Sequence, residues 1–200
     1  MGYESEYKRI LNKLFAARVR DLVSLIGKNK PGKPLEITRD KLDEYIEKLK
    51  ELVESAIGKE LLNEELDTAK DHHKWLIKGR GVEARIEEFN NWYKENFGND
   101  SNCVYMYWAE GDKCIYVGRG TSGGQRPASH LVDVRFQNAK WLEIYTFGGP
   151  TLLHKIECMA THLYDPSLNK VASSRYERDK SCPLCIRYKI IEDELNAIFR

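Results

Sequence analysis

No apolar run in the 200 residues approaches the ~18–20 needed to cross a bilayer, so a membrane-spanning role is not expected. There is no surplus of either charge. The 32 Lys and Arg face 31 Asp and Glu, a formal net charge of +1 at pH 7, which excludes the global basic field of a histone-like nucleic-acid binder. Any polyanionic partner must be held by local features. Only 6 prolines and 14 glycines, with 42% hydrophobic and 32% charged residues, exclude collagen-like, low-complexity and wholly disordered chains. The segment Met1-Gly2-Tyr3-Glu4-Ser5-Glu6-Tyr7-Lys8 carries acids where a signal peptide is basic and then apolar, so a soluble, cytoplasmic protein is expected. Five cysteines are an odd set, and the Cys-x-x-Cys among them reads in a reducing compartment as a metal site or free thiols rather than disulfides. No internal repeat is evident. What remains is a globular chain with room for one ordinary domain or two small ones.

The texture changes near residue 100. Before it, Leu42, Tyr45, Ile46, Leu49, Leu52, Val53, Ala56 and Ile57 recur at three- and four-residue steps, which predicts a helix beginning just after a Thr38 cap. Ile10–Ile26 predicts an earlier helix, ended by the Pro- and Gly-containing stretch 28–34. Leu62, Leu66, Ala69, His73, Leu76 and Ile77 predict a third, and Val82, Ile86, Phe89, Tyr93 and Phe97 a fourth. Residues 1–100 therefore read as an all-helical region, suited to target recognition, a partner or an oligomer interface. After Gly98-Asn99-Asp100-Ser101 come two short aromatic and β-branched runs, Cys103–Ala109 and Cys114–Val117, joined by Glu110-Gly111-Asp112-Lys113, the signature of a β-hairpin. A glycine-rich loop follows, then a helical stretch around Ala128–Asn138, an extended Trp141–Phe147, a helix from about Thr151 to Tyr164 and an amphipathic helix Ile186–Phe199. The expected class is α+β: a helical N-terminal region, then a small antiparallel sheet flanked by helices over residues 101–200.

The hairpin, the loop and the next helix hold the chemistry. Tyr105 and Tyr116 fall on neighbouring strands, nearly opposite one another, so two phenols can face one side. Arg126 and His130 are four apart and share a helix face if both are helical. Taken alone, packing aromatics and a solvated helix face explain these residues as well as a site does. Glu157 sits at the edge of the apolar face formed by Leu152, Leu153, Ile156, Met159, Ala160 and Leu163, where a carboxylate needs a partner or a metal. The bland reading points it to water or pairs it with a nearby Arg.

The spacing resembles the GIY-YIG nuclease domain. The first tripeptide stands as Cys103-Val104-Tyr105 or Val104-Tyr105-Met106, the second as Tyr116-Val117-Gly118, with the tyrosines 11 apart. Arg126-x-x-x-His130, Glu157 and Pro166-Ser167-Leu168-Asn169 complete the pattern over roughly residues 102–170. The chain departs from it in lacking the first glycine and in placing Pro127 directly after the arginine. Proline is tolerated in a first helical turn, so Arg126 is expected at the start of its helix, where free amides favour an anion. The resemblance implies metal-dependent hydrolysis of DNA phosphodiesters. Glu157 would hold Mg²⁺ or Mn²⁺, a hard cation that keeps several waters, and Arg126, with Arg119 beside the loop, would clamp the phosphate. Tyr105, Tyr116 or His130 would orient or deprotonate the water, Tyr105 being preferred as base and neutral His130 being the conventional alternative. Gly118 and Asn169 would support the site.

A second constellation is Cys182-Pro183-Leu184-Cys185, which Cys158-x-x-x-His162 would complete as a Cys₃His zinc set stapling the C-terminal helix to the core, with His154 a competing ligand. His72-His73 has no ligand set around it and reads as a surface or capping pair. For double-stranded DNA the densest local charge lies at 168–189, where Lys170, Arg175, Arg178, Lys180, Arg187 and Lys189 face only Glu177 and Asp179; Lys28–Lys33 is a second basic arm. The expectation is a restriction-type endonuclease, one active site per chain suggesting a homodimer or successive nicking. Mobile-element and repair nucleases remain open, and the alternative is a catalytically silent DNA- or protein-binding module on the same fold with a structural zinc.

Overall fold

A computed structural model describes residues 16, 17, 19, 20, 39–78, 81–169 and 181–198. The chain divides into two compact units, one of residues 1–57 with 183–200 and one of residues 58–182. The boundary read near residue 100 falls inside the second unit.

In the first unit, α1 (Arg39–Val53) packs against α6 (Pro183–Ile198). Leu184, Tyr188, Ile191 and Leu195 are buried at steps of three and four, the stripe expected of a helix with one apolar face. Lys50 bonds Glu192 at 2.9 Å and lies over the Tyr188 ring, and the Tyr188 hydroxyl donates to Glu54. The predicted helix over 42–57 is present, its last turn widening into a π-helical Glu54–Gly58. Most of the predicted helix Ile10–Ile26 and the Lys28–Lys33 arm lie outside the described residues.

The second unit holds α2 (Lys59–Leu66), β1 (Asp71–Leu76), α3 (Val82–Phe97), β2 (Cys103–Ala109), β3 (Lys113–Gly120), α4 (Gln125–His130), β4 (Trp141–Thr146) and α5 (Leu153–Tyr164). The four strands form one antiparallel sheet in the order β1-β4-β2-β3, with helices on both sides. The class expected from the sequence is therefore present, with one correction: the stripe Leu62–Ile77 is not a single helix. Its first half is α2 and its second half is β1, which pairs with β4 from Asp71↔Thr146 to Leu76↔Trp141. The His-His-Lys-Trp run satisfies either period over so few residues, and the unpaired side of β4 selects the strand.

β2 is central, and both of its faces are covered. Tyr105 and Tyr107 on one side and Val104 and Met106 on the other are all at 0–1% exposure, which is why the strand reads as a continuous apolar run rather than an alternating one. Each such side chain contributes on the order of 1.5–3 kcal/mol by leaving water. Phe89, Tyr93 and Phe97 of α3 fill the tyrosine face together with Trp75, Leu142 and Ile144. The hairpin turns through Gly111 and Asp112, both at positive φ, the backbone that short hairpin turns demand. The helix predicted at Ala128–Asn138 lies earlier and is shorter; α4 stops at His130, and the chain continues through a 3₁₀ turn, Val134–Phe136, capped by the Asp133 side chain. Among the described residues no helix is long and apolar enough to cross a membrane.

Candidate active site

The register of β2 on β3 decides which rings meet. Tyr105 lies opposite Gly118, and Tyr107 opposite Tyr116. Tyr105 and Tyr116 are therefore diagonal neighbours on one face, their ring centroids 6.1 Å apart, rather than directly opposed. Gly118 creates the space: a Cβ there would stand 2.6 Å from Tyr105 Cζ and 2.7 Å from Tyr116 Cε1, well inside contact distance.

α4 brings the next two groups. The Tyr105 hydroxyl and His130 Nε2 share a 3.1 Å hydrogen bond, and the imidazole lies 4.6 Å from the Tyr116 ring and stacks on Phe136 at 4.7 Å. Arg126, one turn earlier and exposed, acts on both phenols. Burial raises Tyr105 far above the usual phenol range, and the opposing pull of Arg126 is the smaller effect. Tyr116 is raised for the same first reason, again against Arg126. Burial, aided by the Arg126 charge, lowers His130 to about 4. At neutral pH the site therefore holds two protonated phenols, a neutral imidazole and a fixed cation.

Glu157 reaches the same patch from α5. It is 9% exposed, its charge is felt at Tyr116, and Arg119 Nε donates to its Oε2 at 2.9 Å. Arg119, expected on a phosphate, is thus the ion-pair partner of the acid expected on a metal. Asn169 sits elsewhere, on the free edge of β3. It accepts from Val117 N–H at 2.9 Å and donates to Val117 C=O at 2.7 Å, while Leu168 N–H bonds Ile115 C=O. The Pro-Ser-Leu-Asn segment continues the sheet and covers an edge that would otherwise present unpaired backbone groups.

Two neighbours escaped the sequence reading. Tyr107 donates from its hydroxyl to Pro127 C=O at 2.7 Å, fixing the start of α4 against the sheet, and Phe136 packs on Tyr116, His130 and Tyr107. The Tyr-x-Tyr alternation of β2 signals the first; no spacing signals the second. Of the basic strip, Lys170, Arg175, Arg178 and Lys180 lie outside the described residues. Arg187 is half-buried on α6, donating to Pro183 C=O at 3.0 Å. His72 stacks on Tyr145, and His73 meets Phe97 and Trp92 edge-on.

All five cysteines are buried. The donor atoms of Cys158 and His162 on α5 and of Cys182 at the end of the second unit lie within 4.8 Å of one another, a group that could hold a metal ion. His154 is not part of it. No family model, no curated protein and no solved structure matches this chain.

Proposed function

We propose that the chain is a divalent-metal-dependent DNA endonuclease, most simply of restriction type. One observation carries the reading: Tyr105, Tyr116, Arg126 and His130 gather on one face of the β2–β3 hairpin, and Glu157 reaches their edge from a separate helix. A nearly buried carboxylate whose cationic partner, Arg119, is 46% exposed and so free to swing away suits a single hard cation. Mg²⁺ or Mn²⁺ held there would neutralise charge on the scissile phosphate. Arg126, exposed at the mouth, would grip that phosphate by paired hydrogen bonds. Tyr116 would donate a hydrogen bond to the phosphate or orient the water.

The pKa directions bear on the base. Tyr105 is too basic as phenolate to be the resting base, whereas its hydrogen bond to neutral His130 offers a path on which Tyr105 accepts a proton from water as its own passes to Nε2. The pair works as a unit. One such site cuts one strand, so cleavage of duplex DNA calls for two copies or for successive nicks.

For Cys158, His162 and Cys182, with Cys185 as the fourth ligand that the Cys-x-x-Cys spacing offers, we assign zinc on the chemistry of the donors: three thiolates and one imidazole are a tetrahedral, closed, structural set. A second reading has a specific observation behind it. The Arg119–Glu157 ion pair is what a silent module would keep to neutralise a buried acid.

Plasmid DNA incubated with Mg²⁺ or Mn²⁺ decides between them. Cleavage is expected with either ion, none with excess chelator, and a loss of at least about 100-fold in Glu157→Gln and in Arg126→Ala with folding retained. Equal nicking by the unaltered protein and Glu157→Gln, or none under any ion, sinks the nuclease assignment.

A further inference from the structure

The segment between α4 and β4 is built as a rigid rim beside the phenols. Asp133 N–H bonds His130 C=O, Phe136 N–H bonds Asp133 C=O, and Ala139 N–H bonds Phe136 C=O, so the turn is knit to the end of α4 and into itself. Phe136 is its anchor, 4% exposed and stacked on His130. Leu131 and Ala139 are buried at its two ends, and the residues between them and Phe136 face outward or are only partly covered. Val132 and Val134 are 56% and 71% exposed, among the largest apolar exposures of the described residues. Arg135, between Val134 and the anchor, is 52% exposed, and Asp133 grips its Nε and Nη2 at 2.9 and 2.5 Å.

That grip fixes the side chain before any partner arrives. A free guanidinium spends its rotamer entropy when it binds; here an aspartate two residues away holds it, and among the described residues Nη1 makes no hydrogen bond. Arg135 is also close enough to act on Tyr116 and His130. A fixed cation flanked by exposed apolar methyls, on a rim anchored to the catalytic imidazole, suits the sugar–phosphate backbone.

We infer that Arg135 is a substrate-positioning residue, held by Asp133 to bind a DNA backbone phosphate flanking the one that is cut. The inference rests on the nuclease reading for its substrate, and binding tests it separately from cleavage. A short fluorescently labelled duplex is titrated with Glu157→Gln protein over a series of salt concentrations, then with Arg135→Ala, Arg135→Lys or Lys94→Ala added. Lys94 is an exposed cation of α3 and controls for charge alone. Arg135→Ala is expected to weaken binding about tenfold and to shallow the salt slope by about one unit, with thermal midpoint kept. Arg135→Lys should keep the slope and recover part of the affinity. Affinity and slope in Arg135→Ala equal to those of Lys94→Ala overturn the inference, whether or not the unaltered protein cuts. Loss of both in Arg135→Ala supports it even where no cleavage is seen, the outcome in which the nuclease reading alone fails.

Discussion

Gly118 and His130 each carry a consequence that can be measured one residue at a time. A methyl at position 118 would drive into the Tyr105 and Tyr116 rings, and Tyr105, at 0% exposure, has no room to retreat. Gly118→Ala is expected to destabilise by about 1–3 kcal/mol, the usual range for overpacking, and to be seen as a lowered denaturant midpoint with unchanged slope. His130 gives a pH signature. Its folded pKa of about 4 lies below the unfolded value of ~6.5, so the folded state binds fewer protons in between. The stability held above pH ~6.5 is lost as pH falls through that window towards 4. His130→Gln should flatten the thermal midpoint between pH 4 and 6.5, and an unchanged slope there would show that His130 is not the group responsible.

At the scale of elements, the sheet is finished by a side chain. Asn169 performs on β3 what a fifth strand would do at that point, donating and accepting on one residue, Val117. Asn169→Ala leaves a half-buried N–H and C=O without partners at a cost of about 1–3 kcal/mol. Asn169→Asp keeps the acceptor but sets a carboxylate oxygen against the Val117 carbonyl, so it should be no better than Ala; an Asp variant as stable as the unaltered protein would rule out the two-way bridge. A second close approach joins α5 to the start of α2. A Cβ on Gly58 would meet Leu163 Cδ2 at 2.4 Å, while Lys155 of α5 bonds Glu65 of α2. α5, the carrier of Glu157, is thus held to its neighbours at both ends of its buried face.

For the molecule as a whole, metal content is the informative quantity. Buried thiols and an imidazole as close as those of Cys158, Cys182 and His162 are stable either as a dry, protonated cluster or as ligands that have released their protons to a cation. Purified protein is expected to carry about one zinc per chain by atomic absorption, and Cys158→Ser to lose it with a fall in thermal midpoint. Protein that folds and melts identically with and without zinc would leave the cluster as packed thiols. With a net charge of +1, nothing draws DNA to the surface at large; under the proposed function any affinity would come from local groups, which makes single arginine deletions readable.

The sequence by itself determined the long, strongly periodic helices, the hairpin with its glycine-containing turn, and the residue types of both constellations. Those signals are local, set by side-chain period and by backbone freedom at Gly111. The strand at Asp71–Leu76 was legible only in three dimensions, because six residues fit two periods and the free side of β4 makes the choice. Tertiary structure also settled that Tyr105 is hydrogen-bonded to an imidazole, that Arg119 pairs with Glu157, and that Asn169 mends an edge rather than reaching the phenols. Each of these joins residues far apart in the chain or on different elements, and only packing fixes the distances and desolvation on which a hydrogen bond, an ion pair or a shifted pKa depends.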